Sequence, residues 1–342
     1  MVNKPAWIGL VLLALMLLGV GIGLRKAPSA PPPPVTTDPT TVTAYATEPI
    51  QPIPEPPLLD PLKVDLGERL FRDPRISRDG SIACTSCHIF GLALTDRQPQ
   101  SRRVGGEQTE FNTPTLFNVT LNFRLFWNGR AKQLEEQIAH PRDTGTEWNN
   151  VLRKLKTDPE LAPRFARAYP QGMTEATLQD AIVTFERSLI TPNARFDRYL
   201  RGDKNAITRE EEEGYYLFKS YGCASCHQGA NVGGNMFQKL GVMRDFFKEH
   251  GPLDEADMGR YLITKQEQDR HVFRVPSLRN IALTAPYLHN GAAEDLRAVI
   301  AVMGKYQLGR EIPPHDVERL IAFLHTLSGE YRGRALDQAP AR

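Results

Sequence analysis

The clearest pattern of apolar and polar positions lies in the middle of the chain and has the period of a helix. Apolar side chains recur there every three or four residues, at Leu178, Ala181, Ile182, Phe185 and Leu189. This spacing puts them on one face of a helix and leaves polar residues on the other face. Residues 174–190 are therefore predicted to form an amphipathic helix.

The same period returns near the C-terminus, directly after Pro313 and Pro314. The apolar positions there are Val317, Leu320, Ile321, Leu324 and Leu327. Long alternation of apolar and polar residues, which is typical of half-buried strands, is scarce along the sequence. Segments rich in glycine, proline and asparagine separate the helical patterns and are typical of loops. The sequence therefore predicts a mostly α-helical protein.

Two short segments repeat one pattern in the two halves of the chain. G-E-R-L-F occupies residues 67–71, and G-Y-Y-L-F occupies residues 214–218. Each segment is predicted to end a short helix that leads into a cysteine motif. The second helix also has a predicted start, because Thr208 and Glu211 fit a capping box and acidic side chains favour the positive end of the helix dipole. The repetition indicates two similar helical domains in tandem.

The first part of the chain has a different composition. Residues 6–24 carry no charged side chain, and as a helix they would extend about 28 Å, close to the thickness of a bilayer core. The run ends in G-L-R-K without a small-x-small cleavage pattern, so we expect an uncleaved membrane anchor rather than a cleaved signal peptide. Residues 27–58 are rich in proline and threonine, which favours an extended, solvated linker that buries no core.

Two copies of a C-x-x-C-H motif use all four cysteines of the chain. Two thiols at this spacing can each form a thioether with a vinyl group of one haem, and the adjacent histidine then ligates the iron. A zinc site or a redox pair could explain one copy, whereas two copies that account for every cysteine favour two covalently bound c-type haems. The predicted haem-binding residues are Cys84, Cys87 and His88 for the first haem, and Cys223, Cys226 and His227 for the second.

Length and charge fit two domains that are exported from the cytoplasm. The 342 residues leave room for two compact units after the N-terminal segments. We expect an anchor at residues 1–26, a linker at 27–58, a first haem domain at 59–203 and a second at 204–342. The net charge of +2 gives no reason to expect a nucleic-acid partner. Haem c is attached outside the cytoplasmic membrane in bacteria, which indicates the periplasm.

Longer runs around the cysteine motifs resemble one protein family. N-T-P-T at residues 112–115, F-W-N-G-R at 126–130, and residues 189–198 and 279–287 are similar to the bacterial dihaem cytochrome c peroxidases. The resemblance covers most of residues 60–328. It implies two tandem cytochrome c-like domains, a first haem that reduces hydrogen peroxide, and a second haem that stores and relays an electron.

The resemblance also assigns roles to residues near the first haem. It implies that Glu147 carries protons on the distal side, that Gln137 orients the peroxide, and that Trp127 lies between the haems on the electron path. Without the family, Glu147 and Gln137 would be interpreted as solvent-exposed polar residues and Trp127 as a core residue.

One departure from the family concerns the sixth ligand of the first iron. Many relatives have a histidine sixteen residues after the proximal histidine, where it caps the resting iron, and the matching position here is Val104. Valine cannot ligate iron, so we expect the first haem to be five-coordinate or water-bound and to need no reductive activation. His140 is the alternative ligand, although a histidine with a structural role in a loop is the simpler interpretation.

The second iron is expected to have an axial methionine. A-V-M-G, followed by Q-L-G, matches the family's ligand segment and implies Met303. A thioether ligand raises the reduction potential and blocks peroxide, which suits an electron donor. Met236, Met243 and Met258 compete by residue type only and fit packing or loop positions. The related MauG-like enzymes, which oxidise tryptophans of a partner protein, carry a tyrosine at the position of Met303.

The resemblance further implies a calcium ion between the domains. Relatives bind it with an asparagine side chain and backbone carbonyls, and the matching positions are Asn112, Thr284 and Pro286. Oxygen ligands of this kind suit a hard cation. His289 also matches a family position near the second haem, and we expect a structural role for it.

The sequence thus favours a periplasmic dihaem peroxidase held in the inner membrane by its N-terminal helix. Its electron donor is expected to be a small cytochrome c or a blue-copper protein (cupredoxin), with quinol also open because of the anchor. The family implies a homodimer. Two alternatives remain at this point, namely a MauG-like oxidase of a partner protein and a dihaem electron carrier without catalytic activity.

Overall fold

Helices joined by irregular loops make up most of the described chain. The computed structural model describes residues 47–139 and 141–338. The helices are α1 (Pro61–Phe71), α2 (Leu134–Ala139), α3 (Trp148–Leu155), α4 (Leu161–Ala168), α5 (Glu175–Arg187), α6 (Arg195–Leu200), α7 (Arg209–Ser220), α8 (Phe246–Glu249), α9 (Tyr261–Thr264), α10 (Leu296–Val302) and α11 (Pro314–His325). The strands are β1 (Phe237–Lys239), β2 (Val272–Arg274), β3 (Glu330–Tyr331) and β4 (Arg334–Ala335), and they pair antiparallel as β1–β2 and β3–β4. The mostly helical class is confirmed.

The predicted amphipathic helix is α5, and it packs closely against α1. Thr174 caps its start, where the Thr174 hydroxyl accepts a hydrogen bond from the backbone N–H of Thr177 at 3.2 Å. Gly67 of α1 lies against the backbone of α5, because a Cβ at this position would overlap the carbonyl oxygen of Ala181. The absence of a side chain at Gly67 therefore sets how closely the two helices approach.

The helix pair α7 and α11 repeats this arrangement in the second half of the chain. The capping box at the start of α7 is confirmed, since Thr208 and Glu211 exchange side-chain and backbone hydrogen bonds. Gly214 occupies the place that Gly67 has in the first pair, because a Cβ there would overlap the carbonyl oxygen of Arg319 in α11. The sequence repeat therefore corresponds to a repeated contact between two helices.

Buried apolar side chains form two clusters. Each end of the described chain packs against the cluster that is formed mainly by the other half. The first cluster draws on residues 66–189, and Tyr331 and Leu336 from the C-terminal end pack against it. The second draws mainly on residues 196–327 and also takes in Ile50 and Phe111. The described residues form one compact unit. The expected division into two domains at residues 203 and 204 stays a prediction.

The segment before α1 differs from the solvated linker that composition suggested. Ile50 and Ile53 are fully buried, and Ile50 forms a β-bridge with Gly229. Arg201 and Arg279 donate hydrogen bonds at 2.9 and 2.8 Å to the backbone carbonyls of Ile53 and Gln51. The expectation that the linker buries no core up to residue 58 is therefore wrong for this stretch, because its two isoleucines supply apolar anchors and its carbonyls find donors.

The expected membrane anchor and most of the expected linker lie outside the described residues, as does His140. Within residues 47–139 and 141–338, no helix combines the length and the apolar character needed to cross a bilayer.

Candidate active site

The first C-x-x-C-H motif forms a tight turn that fixes the direction of its histidine. Cys84–Ser86 is a 3₁₀ turn, and the backbone N–H of His88 donates to the carbonyl oxygen of Cys84 at 2.9 Å. Nδ1 of His88 lies 2.9 Å from the carbonyl oxygen of Leu94. A proton on Nδ1 satisfies that carbonyl and leaves Nε2 as the nitrogen that can ligate a metal. Burial lowers the pKa of His88, which favours the neutral imidazole that ligation requires.

The second motif has the same local structure. Cys223–Ser225 is a 3₁₀ turn, and the backbone N–H of His227 donates to the carbonyl oxygen of Cys223 at 3.0 Å. Burial lowers the pKa of His227 to about 4, so this imidazole is neutral at physiological pH. All four cysteines are free thiols and partly accessible, so none is used in a disulfide.

A cavity of about 480 Å³ brings the second motif together with the predicted axial methionine. Cys223, Cys226 and His227 line it, together with Met303, the first residue of a π-helical turn, Met303–Gln307, that continues α10. Met303 is the only methionine of residues 47–139 and 141–338 in the lining, so Met236, Met243 and Met258 are not part of this wall. The structure thus places an imidazole and a thioether, the two expected iron ligands, on one cavity.

A narrower cavity of about 100 Å³ contains His88. Gln137 lines it, and the side-chain oxygen of Gln137 is buried without a hydrogen-bond partner. The lining holds no methionine and no histidine other than His88 among the residues that the structure describes. A buried, unsatisfied amide oxygen beside this histidine is a free polar group to which a small hydroxylic molecule could donate a hydrogen bond.

Glu147 lies apart from this cavity. It precedes α3, its side chain is exposed, and its carboxylate accepts a hydrogen bond from the side chain of Asn150. The carboxylates that do line the cavity are Glu110 and Asp143, which sequence reasoning missed. Asp143 could have been considered from the sequence, because it lies in the charged segment P-R-D, four residues before the expected proton carrier.

Val104 is buried near the same loop but is not part of the cavity lining. It is 9% exposed, and its backbone N–H donates to the carbonyl oxygen of Asp143 at 2.8 Å. The position that holds a capping histidine in many relatives therefore holds the loop in place through its backbone. The coordination of the first iron stays a prediction.

Trp127 lies in the wall between the two cavities and lines both of them. Its indole N–H donates to the backbone carbonyl of Asn112 at 3.0 Å. The turn that holds Trp127 is closed by a β-bridge between Leu125 and Ala131, and a matching bridge joins Tyr287 and Ala293 in the second half.

His289 occupies the position in the second turn that Trp127 has in the first. Its Nε2 lies 2.6 Å from a carboxylate oxygen of Asp257, and both side chains are buried. It also lines the larger cavity. This buried hydrogen bond fits the structural role that we expected for His289.

The three predicted calcium positions lie in the lining of the larger cavity. Asn112, Thr284 and Pro286 all line it, and a cis peptide bond precedes Pro286. The side-chain nitrogen of Asn112 lies 2.9 and 3.4 Å from the carbonyl oxygens of Gln98 and Pro99. These carbonyls form an oxygen-rich surrounding for the Asn112 side chain that the sequence did not predict.

Three arginines that sequence reasoning did not single out also line the cavity of His88, namely Arg130, Arg142 and Arg274. The guanidinium of Arg130 lies 3.4 Å from the centre of the Phe126 ring. Arg274, the last residue of β2, lines both cavities and is 4% exposed. Only the tertiary structure brings these cations to the first motif, because Arg274 is far from it in sequence.

These features fit two covalently bound haems. The second motif places both of its free thiols and its histidine in the lining of the larger cavity, whereas of the first motif only His88 lines the narrower one. Both imidazoles are half-buried, and desolvation lowers their pKa, which favours the neutral form that iron ligation requires. The larger cavity has a mostly apolar lining and adds a thioether, whereas the narrower one adds an unsatisfied amide and charged side chains. The two sites therefore differ in what they offer on the side of the iron opposite the histidine.

Comparison with known proteins gives one consistent result. Residues 61–205 match the family model described as di-haem cytochrome c peroxidase. The chain is 43% identical over 296 residues to the cytochrome c peroxidase Ccp of Escherichia coli K12. This alignment covers 85% of this chain and 63% of that protein. It is 41% identical over 292 residues to the cytochrome c551 peroxidase of Nitrosomonas europaea, with 83% of this chain and 85% of that protein covered.

A solved structure supports the same relationship. The crystal structure of a MauG-like protein associated with microbial copper homeostasis superposes with a TM-score of 0.73 at 27% identity, over 86% of this chain and 95% of that one. The chain spans less than two thirds of the length of the Escherichia coli relative but most of the length of the Nitrosomonas relative. On this evidence the chain belongs to the dihaem cytochrome c peroxidase family, whose members are oxidoreductases with two c-type haems.

Proposed function

We propose that the protein reduces hydrogen peroxide to water in the cavity of His88, with electrons delivered through the site of His227. The observation that carries this proposal is the difference between the two cavities. The cavity of His227 is also lined by the thioether of Met303, which could serve as a second ligand, whereas that of His88 includes an unsatisfied amide and polar side chains. An open position beside a metal is what a small substrate needs.

The haem at His88 would supply an iron with redox chemistry and a free coordination position. The protein's own contribution is to orient the substrate and to move protons. Gln137 lines the cavity and its buried Oε1 has no partner in the protein, so this oxygen is available to accept a hydrogen bond from the hydroxyl group of peroxide. Reduction of hydrogen peroxide to two waters consumes two electrons and two protons, so a group that carries protons is also required.

We assign this proton transfer to Glu147 by its match to the family. The exposed position of its carboxylate gives it access to protons from solvent. Asp143 is the second candidate, since it lines the cavity in which the reaction is proposed to occur. The loop that connects them is held to Val104 by the hydrogen bond at Asp143.

Trp127 is proposed to carry electrons between the two sites. It is an aromatic side chain in the wall that both cavities share, and the carbonyl of Asn112 fixes its indole ring. Met303 is proposed to ligate the second iron, where a thioether favours the role of electron donor over that of peroxide-binding site. Its position also argues against the MauG-like alternative, which has a tyrosine there.

A calcium ion is proposed to lie next to Asn112. Rotation of the Asn112 amide by half a turn would direct its oxygen toward the carbonyl oxygens of Gln98 and Pro99, an arrangement that a cation between them would stabilise. Backbone carbonyls of Thr284 and Pro286 are the further ligands that the family implies. A cation at this point would tie the segment of Asn112 to that of Thr284 and Pro286, which are far apart in sequence.

The protein is periplasmic, in keeping with its c-type haems, and it takes its electrons from a separate redox carrier. A small cytochrome c is proposed, with a cupredoxin or a membrane quinol as the other candidates. We further propose that the apolar run at residues 6–24 tethers the protein to the inner membrane. A homodimer is proposed from the family, and no nucleic-acid partner is expected.

Electron paramagnetic resonance of the isolated ferric protein, combined with stopped-flow addition of peroxide, tests the proposed function. We expect a high-spin ferric signal that peroxide consumes before any reductant is added, and steady turnover once reduced cytochrome c is supplied. Two low-spin signals without a reaction would leave only the electron-carrier alternative. A reaction with peroxide that does not oxidise any small cytochrome c, cupredoxin or quinol would favour a MauG-like oxidase.

A further inference from the structure

Arg274 is a buried cation that has no carboxylate partner among the described residues. It is 4% exposed, and its guanidinium donates only to uncharged oxygens. Nε donates to the carbonyl of Phe126 at 3.2 Å, and Nη1 donates to the side-chain oxygen of Asn122 at 3.1 Å. Burial lowers the pKa of Arg274 to about 10, with no compensating charge nearby.

Arg279, the other deeply buried arginine in the second half of the described chain, differs from Arg274 because a carboxylate neutralises its charge. Arg279 is 1% exposed and forms an ion pair with the fully buried Asp197 at 2.8 Å. Transfer of an unpaired guanidinium from water into a protein interior costs several kcal/mol, so such groups are normally paired. Because Arg274 is buried and donates only to uncharged oxygens, we expect an anion from outside the protein chain to neutralise its charge.

The position of Arg274 limits what this counter-ion can be. Arg274 lines both the cavity of His88 and the cavity of His227. An anion bound in either cavity could therefore contact the Arg274 side chain. Its backbone N–H donates to the carbonyl oxygen of Trp127 at 2.8 Å, which puts it beside the proposed electron carrier. A haem brings two propionate carboxylates into its site, and these are anions of the required kind.

We propose that Arg274 is a shared counter-ion for the propionate carboxylates of both haems, at the wall between the two cavities. The proposal rests on the assignment of the two cavities as haem sites and on no catalytic step. A guanidinium can donate to two carboxylates from different N–H groups, so one side chain can serve both haems. Arg274 would then lock the relative positions of the haems and of Trp127.

Arg130 has a different role, although it lines the same narrow cavity. The carboxylates of Glu110 and Asp143 face this cavity too and act on the Arg130 charge. Its guanidinium also stacks on the ring of Phe126. Carboxylates thus lie close enough to act on the Arg130 charge, whereas none acts on that of Arg274, so the proposal concerns Arg274 alone.

A fixed positive charge next to a haem favours the reduced form, because reduction adds an electron to the iron. Arg274 should therefore raise the reduction potential of both haems. The matched set of variants is Arg274→Gln, which removes the charge, Arg274→Lys, which keeps it, and Arg260→Gln. Arg260 has an ion-pair partner in Asp269 at 3.7 Å and lines neither cavity, so its loss changes the net charge equally without touching the proposed site.

Spectroelectrochemical titration of the two haems, in the haem-loaded full-length protein and without peroxide, gives the test. We expect Arg274→Gln to shift the reduction equilibrium of both haems at least tenfold toward the oxidised form, a drop of about 59 mV or more for a one-electron couple. Arg274→Lys should retain most of the wild-type potentials, and Arg260→Gln should retain both. Unchanged potentials in Arg274→Gln, a drop at one haem only, or a drop equal to that of Arg260→Gln would overturn the proposal.

A crystal structure of the haem-loaded wild type provides a test that does not depend on how the variants fold. A carboxylate of each haem within hydrogen-bonding distance of the Arg274 guanidinium would support the proposal. A guanidinium bonded only to Phe126, Asn122 and Val275 would overturn it. Since neither measurement involves turnover, a failure of the proposed peroxidase function would leave these results intact.

Discussion

Trp127 donates its indole N–H to the backbone carbonyl of Asn112 at 3.0 Å, and both residues line the two cavities. This single hydrogen bond joins the proposed electron carrier to the proposed calcium ligand. The ring orientation of Trp127 therefore depends on the same loop that a cation at Asn112 would hold in place.

Replacement of Trp127 by phenylalanine should slow electron transfer between the haems while both remain attached. Phenylalanine keeps an aromatic ring but leaves the carbonyl of Asn112 without its donor, which costs about 1–3 kcal/mol when the group is buried. We expect electron transfer that is about tenfold slower, equal to ~1.4 kcal/mol on the barrier. Stopped-flow spectroscopy of the reduced protein mixed with peroxide measures it. Wild-type kinetics in this variant would show that electrons take another path.

Replacement of Met303 by leucine should remove the axial ligand of the second iron and lower its reduction potential. The haem should stay bound, because Cys223, Cys226 and His227 are unchanged. Absorption spectroscopy would show the loss of the methionine-to-iron band, and a redox titration would give the potential. Met243→Leu is the control, since Met243 is 60% exposed and does not line the cavity. Loss of the band in the control alone would refute the ligand assignment.

Two carboxylates of one loop, those of Glu147 and Asp143, are the candidates for proton transfer, and matched variants distinguish between them. Glu147→Gln should keep both haems and lose most of the peroxidase turnover, because the amide cannot exchange a proton at neutral pH. Asp143→Asn is the matched variant and should retain turnover. Steady-state assays with reduced cytochrome c decide between them. If Asp143→Asn is the inactive variant and Glu147→Gln is not, the proton carrier is the carboxylate that already lines the cavity.

Removal of calcium should lower both stability and activity in the wild type. A ligand present at one hundred times its dissociation constant stabilises the folded state by about 2.7 kcal/mol. A chelator should therefore reduce the melting temperature of the wild type and leave that of Asn112→Ala nearly unchanged, because this variant lacks the proposed side-chain ligand. Calorimetry with and without the chelator measures the difference. Equal responses of the two proteins would exclude a cation at Asn112.

Glu186 on α5 should make folding stability depend on pH. Its side chain is 2% exposed, one carboxylate oxygen has no hydrogen-bond partner, and burial raises its pKa to about 8. The folded state binds this proton more tightly than the unfolded state, whose carboxyl titrates near pH 4.5. The stabilisation is thus fully present below that pH and is lost as the pH rises through about 8.

Glu186→Gln should remove this pH dependence and raise the free energy of unfolding above pH 8 by a few kcal/mol. Chemical denaturation at a series of pH values measures it. Glu210→Gln, at an exposed position near the start of α7, is the control and should follow the wild type. A wild-type slope that persists in Glu186→Gln would mean that another group is responsible.

Local patterns predicted several parts of the structure correctly. Thr208 and Glu211 form the expected capping box of α7, because such a box depends on side chains three residues apart. The helix predicted from residue 174 is α5, which Thr174 caps. Gly67 and Gly214 were recognised as a repeat, although their purpose, a close contact between two helices, became visible only in the structure. The burial of Ile50 and Ile53 was missed because the prediction rested on the average composition of the proline-rich segment, which does not reflect single apolar residues within it.

The sequence by itself predicted where the two haems attach, since C-x-x-C-H is a covalent requirement contained within five residues. It also determined the helical class and the family. Only the tertiary structure decided that Met303 and His227 share a cavity, that Glu147 lies outside the narrow one, and that Arg274 reaches both. These relationships join residues that are distant in sequence, and packing between helices and loops sets them, so no local pattern could encode them.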